Sequence, residues 1–529
     1  METRIDYVSP LPPVRSGIAD YSRDLLEVLA PLVDLRLVRV PGQEVADELV
    51  ERWSPVDADL CGADGRLPVY QMGNNRYHAA VLRMALDKPG VVTLHDLILH
   101  HLLVEDTLAE DDADAYCERL VADHGWIGEM TARARRWGEI GSAPLFELAA
   151  HRELVRKQRG LLVHSAWAAD LLLEAEPDLA VRTVPMAMPL GDAADPAAGR
   201  AFRERHDLPL DRPLLGSFGF QTPIKRTDVV IAAMARPELA EAHLVIAGEA
   251  SEAIDLEGRV RAAGVEGRVH ITGFLDYDEF LDAIGACDVC VNLRYPTAGE
   301  TSASLLRVLA VGRPVVVSDY AQFSEFPDEV AVKVELGENE VKSLAGQVGE
   351  ILAAPERLSG MAEAARAFVR DHHDPSRAAR SVADALAELA TLDPPAERPL
   401  EVAAPTTLTW LELEGTMDVE GGEEPWEPGE RRRLTVKLAN SGFGRWLPTS
   451  EEAGGVLVEL QWRAHLDGAP VERSWADLPR ELAPGESHEL VFETRRPLGA
   501  EALVIEPHVV GVGGFSSLGG PRWVRDLGA

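Results

Sequence analysis

From residue 4 to about residue 375, short apolar runs alternate with stretches whose apolar residues recur every three or four positions. That is the pattern of parallel strands covered by helices on both faces. The expected strands of the first part are RIDYVSP, LRLVRV, PVYQM, GVVTLHD, GLLVHS and VRTVPM; those of the second are LLGSFG, AHLVIAG, VHITG, CDVCVNL, PVVVSD and VAVKV. The polar joint 191-GDAADPAAG-199 separates the two sets, so two doubly wound, Rossmann-like domains are predicted, over residues 1–195 and 196–376. A last amphipathic helix is expected over 377–392, and 393–406, with its paired prolines and charges, reads as a linker. Beyond it the period changes to two. LTWLELEG, RRRLTVKLAN, GVLVELQWRAHL, HELVFETRRP and ALVIEPHVV alternate apolar and polar residues, with PGE turns at 428–430 and 484–486. This predicts an antiparallel, immunoglobulin-like β-sandwich over 407–529 appended to the α/β domains.

At 529 residues the chain is too long for one core, and about three domains is the natural expectation. No run of eighteen apolar residues occurs, and METRIDYVSPLPP lacks the basic-then-apolar pattern of a secretory signal, so a cytoplasmic address is expected. The net charge of −36 argues against nucleic acid as a partner, because a phosphate backbone rewards clustered Lys and Arg. Two basic stretches, 133-RARR-136 and 152-RELVRKQR-159, read either as solvated helix faces or as contacts for anionic lipid at the inner face of a membrane. Cys287 and Cys290 form a CxxC inside an apolar strand with no second pair to complete a metal site, so they are expected to be structural. Trp410, Trp446, Trp462 and Trp475 of the β domain are either platforms for a sugar ring or core aromatics.

Ligands of open α/β sheets lie beyond the carboxyl ends of the strands, which directs attention to the strand-to-helix loops. Gly17 opens a helix after the first strand, and is either a close-approach point for a phosphate or a plain helix start. GVVTLHD ends at His95 and Asp96, which places a histidine at the carboxyl end of a central strand. In the second domain Lys225 and Arg226 stand at the mouth of a helix, where full charges and helix dipole would act on one anion. The stretch 298-AGETSASLLRVLAVGRPVVVSD-319 reads as a loop, a helix opened by Thr301 and Ser302 and closed by Gly312, and a strand. Its helix start would hold an anion, with Glu300 beside it. In 71-QMGNNRYH-78, Asn74 and His78 are candidates for an acceptor side. No DxD-like carboxylate pair is evident, so basic groups are expected in place of a metal, with no other cofactor.

The combination of PPVRSGIADYS, TLHD, VHSAW, IKRTDVVIAA, LVIAG, ITGF and PTAGETSASLLRVLAVGRPVVVSD resembles the GT-B glycosyltransferases of family 4, over residues 4–390. The resemblance implies a retaining transfer from a nucleotide diphosphate sugar, held in the cleft between the domains, to a polysaccharide, glycolipid or other glycoconjugate. It implies that Gly17 approaches the donor phosphates, His95 the transferred sugar and Lys225 the diphosphate, while Glu300 falls near the first glutamate of an E-x7-E motif. Two departures stand out. The family's arginine five or six residues before the lysine is replaced by Gly219 or Phe220, with Arg226 or Arg294 as substitutes, and Arg307 stands where the second glutamate binds ribose. Aligning Arg307 with that glutamate puts Gly299, not Glu300, at the first position. These departures support an alternative, a catalytically silent GT-B scaffold or carbohydrate-binding protein.

Overall fold

The central strands of the first sheet are buried almost throughout, as continuous apolar runs between two helical layers must be. In this computed structural model β1 (Arg4–Val8), β2 (Asp34–Val38), β3 (Leu67–Met72), β4 (Val91–Leu94), β5 (Gly160–Val163) and β6 (Val181–Thr183) pair in parallel, in the order β2-β1-β3-β4-β5-β6. The structure describes residues 3–14, 16–136, 138, 140–191, 195–393, 395, 406–407, 413–442, 444–450, 454–518 and 520–527. A second parallel sheet follows from β7 (Leu214–Phe218), β8 (His243–Ala247), β9 (Val269–Gly273), β10 (Val289–Asn292), β11 (Val315–Ser318) and β12 (Ala331–Val334). Its order, β12-β11-β10-β7-β8-β9, is the Rossmann arrangement counted from β7. Each sheet has one point where the chain reverses its direction of winding, between β1 and β3 and between β7 and β10. Crevices open there beyond the carboxyl ends of the strands.

The helix expected from residue 377 begins at Pro375 and runs to Leu389, with the Asp374 carboxylate accepting from the Arg377 amide at 3.0 Å. Its apolar stripe, Ala379, Val382, Leu386 and Leu389, is buried with Ile5, Tyr7 and Leu25 of the first domain. Gly160 in β5 makes room for Leu389, whose side chain would overlap any β-carbon there. The chain therefore crosses back after completing the second sheet, tying both α/β domains into one compact unit, Met1–Leu400.

Between β4 and β5 lies a helical insertion that includes Ala113–His124 and Trp126–Arg136. Most of its basic residues meet carboxylates: Arg133 pairs with Glu129, Arg136 with Asp114, Arg152 with Glu176 and Lys157 with Glu153. Cys287 and Cys290 are buried thiols, and burial pushes Cys287 well above its ordinary pKa. Among the described residues no helix is long and apolar enough to cross a membrane.

The second unit, Glu401–Ala529, is antiparallel. β13 (Gly415–Glu420), β14 (Arg431–Asn440) and β17 (Ser487–Arg495) form one sheet; β15 (Val456–Arg463), β16 (Pro470–Asp477), β18 (Ala502–Val509), β19 (Gly513–Gly514) and β20 (Trp523–Asp526) form the other. Trp446 and Trp462 are fully buried in the core with Leu434, Leu460 and Phe515, whereas Trp475 is 63% exposed. Core packing thus accounts for two of the tryptophans, and Trp410 lies outside the described residues, as do most of the linker and residues 408–412 of LTWLELEG.

Candidate functional site

The turn after β7 is built around a glycine. Gly219 has φ +90, and a β-carbon there would stand 2.7 Å from Lys225 Nζ and 3.8 Å from Ser304 Oγ. The Lys225 ammonium therefore occupies the space a side chain would take, beside the first turn of the Ala303–Val311 helix, and donates to the Phe218 carbonyl. Burial, and then the nearby Arg294 guanidinium, push Lys225 down to about 7, with Glu300 acting in the opposite sense. Arg226 does not join it. Its guanidinium is paired with the buried carboxylate of Glu340, Nε to Oε1 at 2.9 Å, and lies over the Tyr295 ring. Of the two adjacent cations, only Lys225 faces the helix start.

The loop after β10 is organised by Glu300. Its Oε2 accepts from Thr297 Oγ1 at 2.8 Å and from the Ala298 amide at 3.0 Å, while Oε1 lies 3.0 Å from Arg294 Nε in an ion pair. Gln322 Nε2 donates to the Glu300 carbonyl at 2.6 Å. Ser302, rather than Thr301, is the N-cap of the following helix, its Oγ accepting from the Leu305 amide at 3.3 Å. Gly312, φ +84, closes that helix. The first amides of such a helix have no intrahelical acceptor.

In the first domain Gly17 is the first residue of the Gly17–Leu29 helix, which Ser16 caps by accepting from the Ile18 amide at 3.3 Å. His95, just beyond β4, is 5% exposed, and its Nε2 lies 2.8 Å from Gln71 Oε1. Gln71 in turn donates Nε2 to Thr93 Oγ1 at 3.2 Å. With the glutamine carbonyl as acceptor, the network assigns the imidazole proton to Nε2 and leaves a lone pair on Nδ1, which is buried without a partner. Tyr21 meets the ring in a T-shaped contact and His164 in a tilted one, with centroids 4.9 and 5.0 Å away. Burial, with His164 and His78 nearby, holds His95 well below its ordinary pKa, so it is a neutral ring. Beside it Asp96 accepts from the Asn74 amide at 2.8 Å and is pushed up to about 7 by burial and by the Glu300 carboxylate.

These elements converge across the domain boundary. Gly17, His95, Asp96, Glu300, Thr301 and Arg307 line one cavity of about 220 Å³. The boundary itself is fastened by the Leu97 and Ile98 amides, which donate to the Ala298 carbonyl at 2.7 and 2.9 Å.

The acceptor-side candidates are placed differently from expectation. The Asn74 side chain is used inside the fold: Oδ1 accepts from the Leu102 amide at 2.9 Å and Nδ2 approaches His101 Nδ1 at 3.3 Å. His78 is fully buried, with Nδ1 at 3.0 Å from the Gln71 carbonyl and its pKa held down to about 4 by burial. Neither lines the cavity, whereas Asn75 and Tyr277, which the sequence did not single out, do.

Residues 212–371 match the family model described as glycosyl transferases group 1. The chain is 30% identical over 224 residues to an alpha-D-kanosaminyltransferase of Streptomyces kanamyceticus, a match covering 40% of this chain and 56% of that protein. It thus spans little more than half the length of that relative. A sucrose-phosphate synthase from Thermosynechococcus elongatus is similar in fold, with a TM-score of 0.51 at 17% identity, over 74% of this chain and 99% of that one. The second domain thus resembles the glycosyl transferases group 1, and the order of the two parallel sheets together with the likeness in fold gives the α/β unit the GT-B fold.

Proposed function

We propose that this protein is a retaining glycosyltransferase that moves a sugar from a nucleotide diphosphate sugar to a carbohydrate, glycolipid or other glycoconjugate acceptor. The observation that carries the reading is the convergence of Gly17, His95, Glu300 and Thr301 on one cavity between the α/β domains. Departure of the leaving group puts negative charge on the β-phosphate while the anomeric carbon becomes cationic, so fixed N–H groups and cations at the phosphate lower the barrier most. Two helix starts, at Gly17 and at Ser302, border the cavity, with the Lys225 ammonium beside the second. The neutral His95 offers its Nδ1 lone pair towards the transferred sugar or its proton, and Glu300 orients sugar hydroxyls. The curated relative, named as a kanosaminyltransferase, supports sugar transfer as the class of reaction.

A second reading, a catalytically silent scaffold, draws on the Glu300 carboxylate, which already holds Thr297, Ala298 and Arg294. The two separate in one experiment. Incubation with UDP-, GDP-, ADP- and dTDP-sugars, followed by NMR, is expected to show consumption of one donor and release of its sugar with retained anomeric configuration. Binding without turnover of any donor would favour the scaffold, and an inverted product would overturn the retaining mechanism.

A further inference from the structure

We infer that Arg307 supplies a diphosphate-binding cation of the donor site, replacing charge that the turn after β7 lacks. The inference rests on the donor reading above. In that turn Gly219 and Phe220 carry no charge, and the neighbouring arginines are engaged elsewhere, Arg226 with Glu340 and Arg294 with Glu300. Arg307 is the one cation among the described residues that line the cavity shared by Gly17 and Thr301. Among the described residues it has neither an ion-pair nor a hydrogen-bond partner, and its Nε is buried unsatisfied.

Its one directional contact is with Tyr277, whose ring centroid lies 5.0 Å from the guanidinium carbon. A cation–π contact holds the guanidinium through its face and leaves the N–H donors in its plane unused. A buried N–H without an acceptor is costly, and a bidentate guanidinium is well matched to phosphate oxygens. The site is thus a cation held in place with its donors open, in a cavity bordered by two helix starts that also favour an anion. A glutamate at 307 would reverse the sign there and suit ribose hydroxyls instead.

The test is calorimetric titration of wild type, Arg307→Ala, Arg307→Lys and Tyr277→Leu with UDP, GDP, ADP and dTDP, their parent nucleosides and inorganic pyrophosphate, with thermal melts to establish folding. Arg307→Ala is expected to weaken the bound nucleoside diphosphate and pyrophosphate by about 10- to 100-fold while leaving the nucleoside within about twofold, and Arg307→Lys to recover part of the loss. Tyr277→Leu, which keeps the charge but frees its geometry, should give a smaller loss of the same kind. Equal losses for nucleoside and diphosphate would assign Arg307 to the ribose and overturn the inference, as would an unchanged diphosphate affinity. If wild type binds pyrophosphate through Arg307 but none of the nucleotides, the cation site stands and the donor reading falls. If it binds none of these ligands, both fall.

Discussion

Gly299 and Leu97 meet across the domain boundary so closely that a β-carbon at 299 would overlap the Leu97 Cβ and stand 3.2 Å from its amide nitrogen. Gly299 also has φ +83, which side-chain-bearing residues rarely adopt. The position at which the resemblance would set a first glutamate is therefore closed to any side chain. The carboxylate stands one residue later, at Glu300, where it serves the loop and lines the cavity.

Gly299→Ala is expected to destabilise the α/β unit by about 2 kcal/mol or more, from the left-handed backbone and the overlap together. The same substitution in a Leu97→Gly background should cost less relative to Leu97→Gly itself, because the opposing β-carbon is gone while the backbone term remains. Thermal or denaturant unfolding of the four proteins gives the coupling. Additive effects would show that the two domains separate freely at this contact.

Lys225 makes a prediction about pH. Its pKa is pushed down to about 7, and an anion bound beside it favours the charged form, so binding a nucleoside diphosphate takes up a proton. Below about pH 7 the ammonium is already present and affinity is flat; above it, affinity falls by up to about tenfold per pH unit until the pKa of the complex is reached. Lys225→Met should bind more weakly at pH 6 and lose this slope, as read by titrations from about pH 6 to about pH 9. A slope that persists in the variant assigns the proton to another group.

Asp96 predicts the stability profile. Its carboxyl is raised from its ordinary range to about 7, so between about pH 4 and about pH 7 the folded protein holds a proton that the unfolded chain releases. The stability this adds is complete below about pH 4 and is lost as pH rises through about 7. Asp96→Asn keeps the shape without the ionisation, so the variant should gain stability relative to wild type on going from about pH 5 to about pH 8. Parallel denaturation curves at the two values would mean that Asp96 ionises as it does in the unfolded chain.

The central strands of both parallel sheets were legible because a strand buried on two faces is written as an unbroken apolar run, as in VVTL or VVVS. β16, PVERSWAD, was not, because most of its residues face solvent and it sits at the edge of its sheet. At the site, loop positions could be read but side-chain allegiances could not. Nothing local in IKRTD indicates that Arg226 turns to Glu340, 114 residues away, or that Asn74 is used by the Leu102 amide. Such pairings are set by tertiary packing, which also explains why Gly299 excludes the glutamate its alignment suggests.

The loop role of Glu300 separates two substitutions that sequence alone would rank together. Glu300→Gln retains an oxygen that can accept from Thr297 Oγ1 and the Ala298 amide, but it loses the charge opposite Arg294. Glu300→Ala removes all three interactions and leaves the Arg294 side chain, 7% exposed, without its carboxylate. Losing one partner of a buried ion pair costs about 3–5 kcal/mol. This falls on the segment that leads directly into the Ser302-capped helix start, where the diphosphate is proposed to bind. Glu300→Gln is therefore expected to keep nucleoside diphosphate affinity within about threefold while turnover falls, and Glu300→Ala to weaken the diphosphate and the intact sugar nucleotide alike. Calorimetric titration of both variants with both ligands, alongside turnover, reads the difference. If the alanine variant binds the diphosphate as wild type does and loses only the sugar nucleotide, then the Gln322 and Ala298 hydrogen bonds suffice to hold the loop, and the carboxylate acts on the sugar.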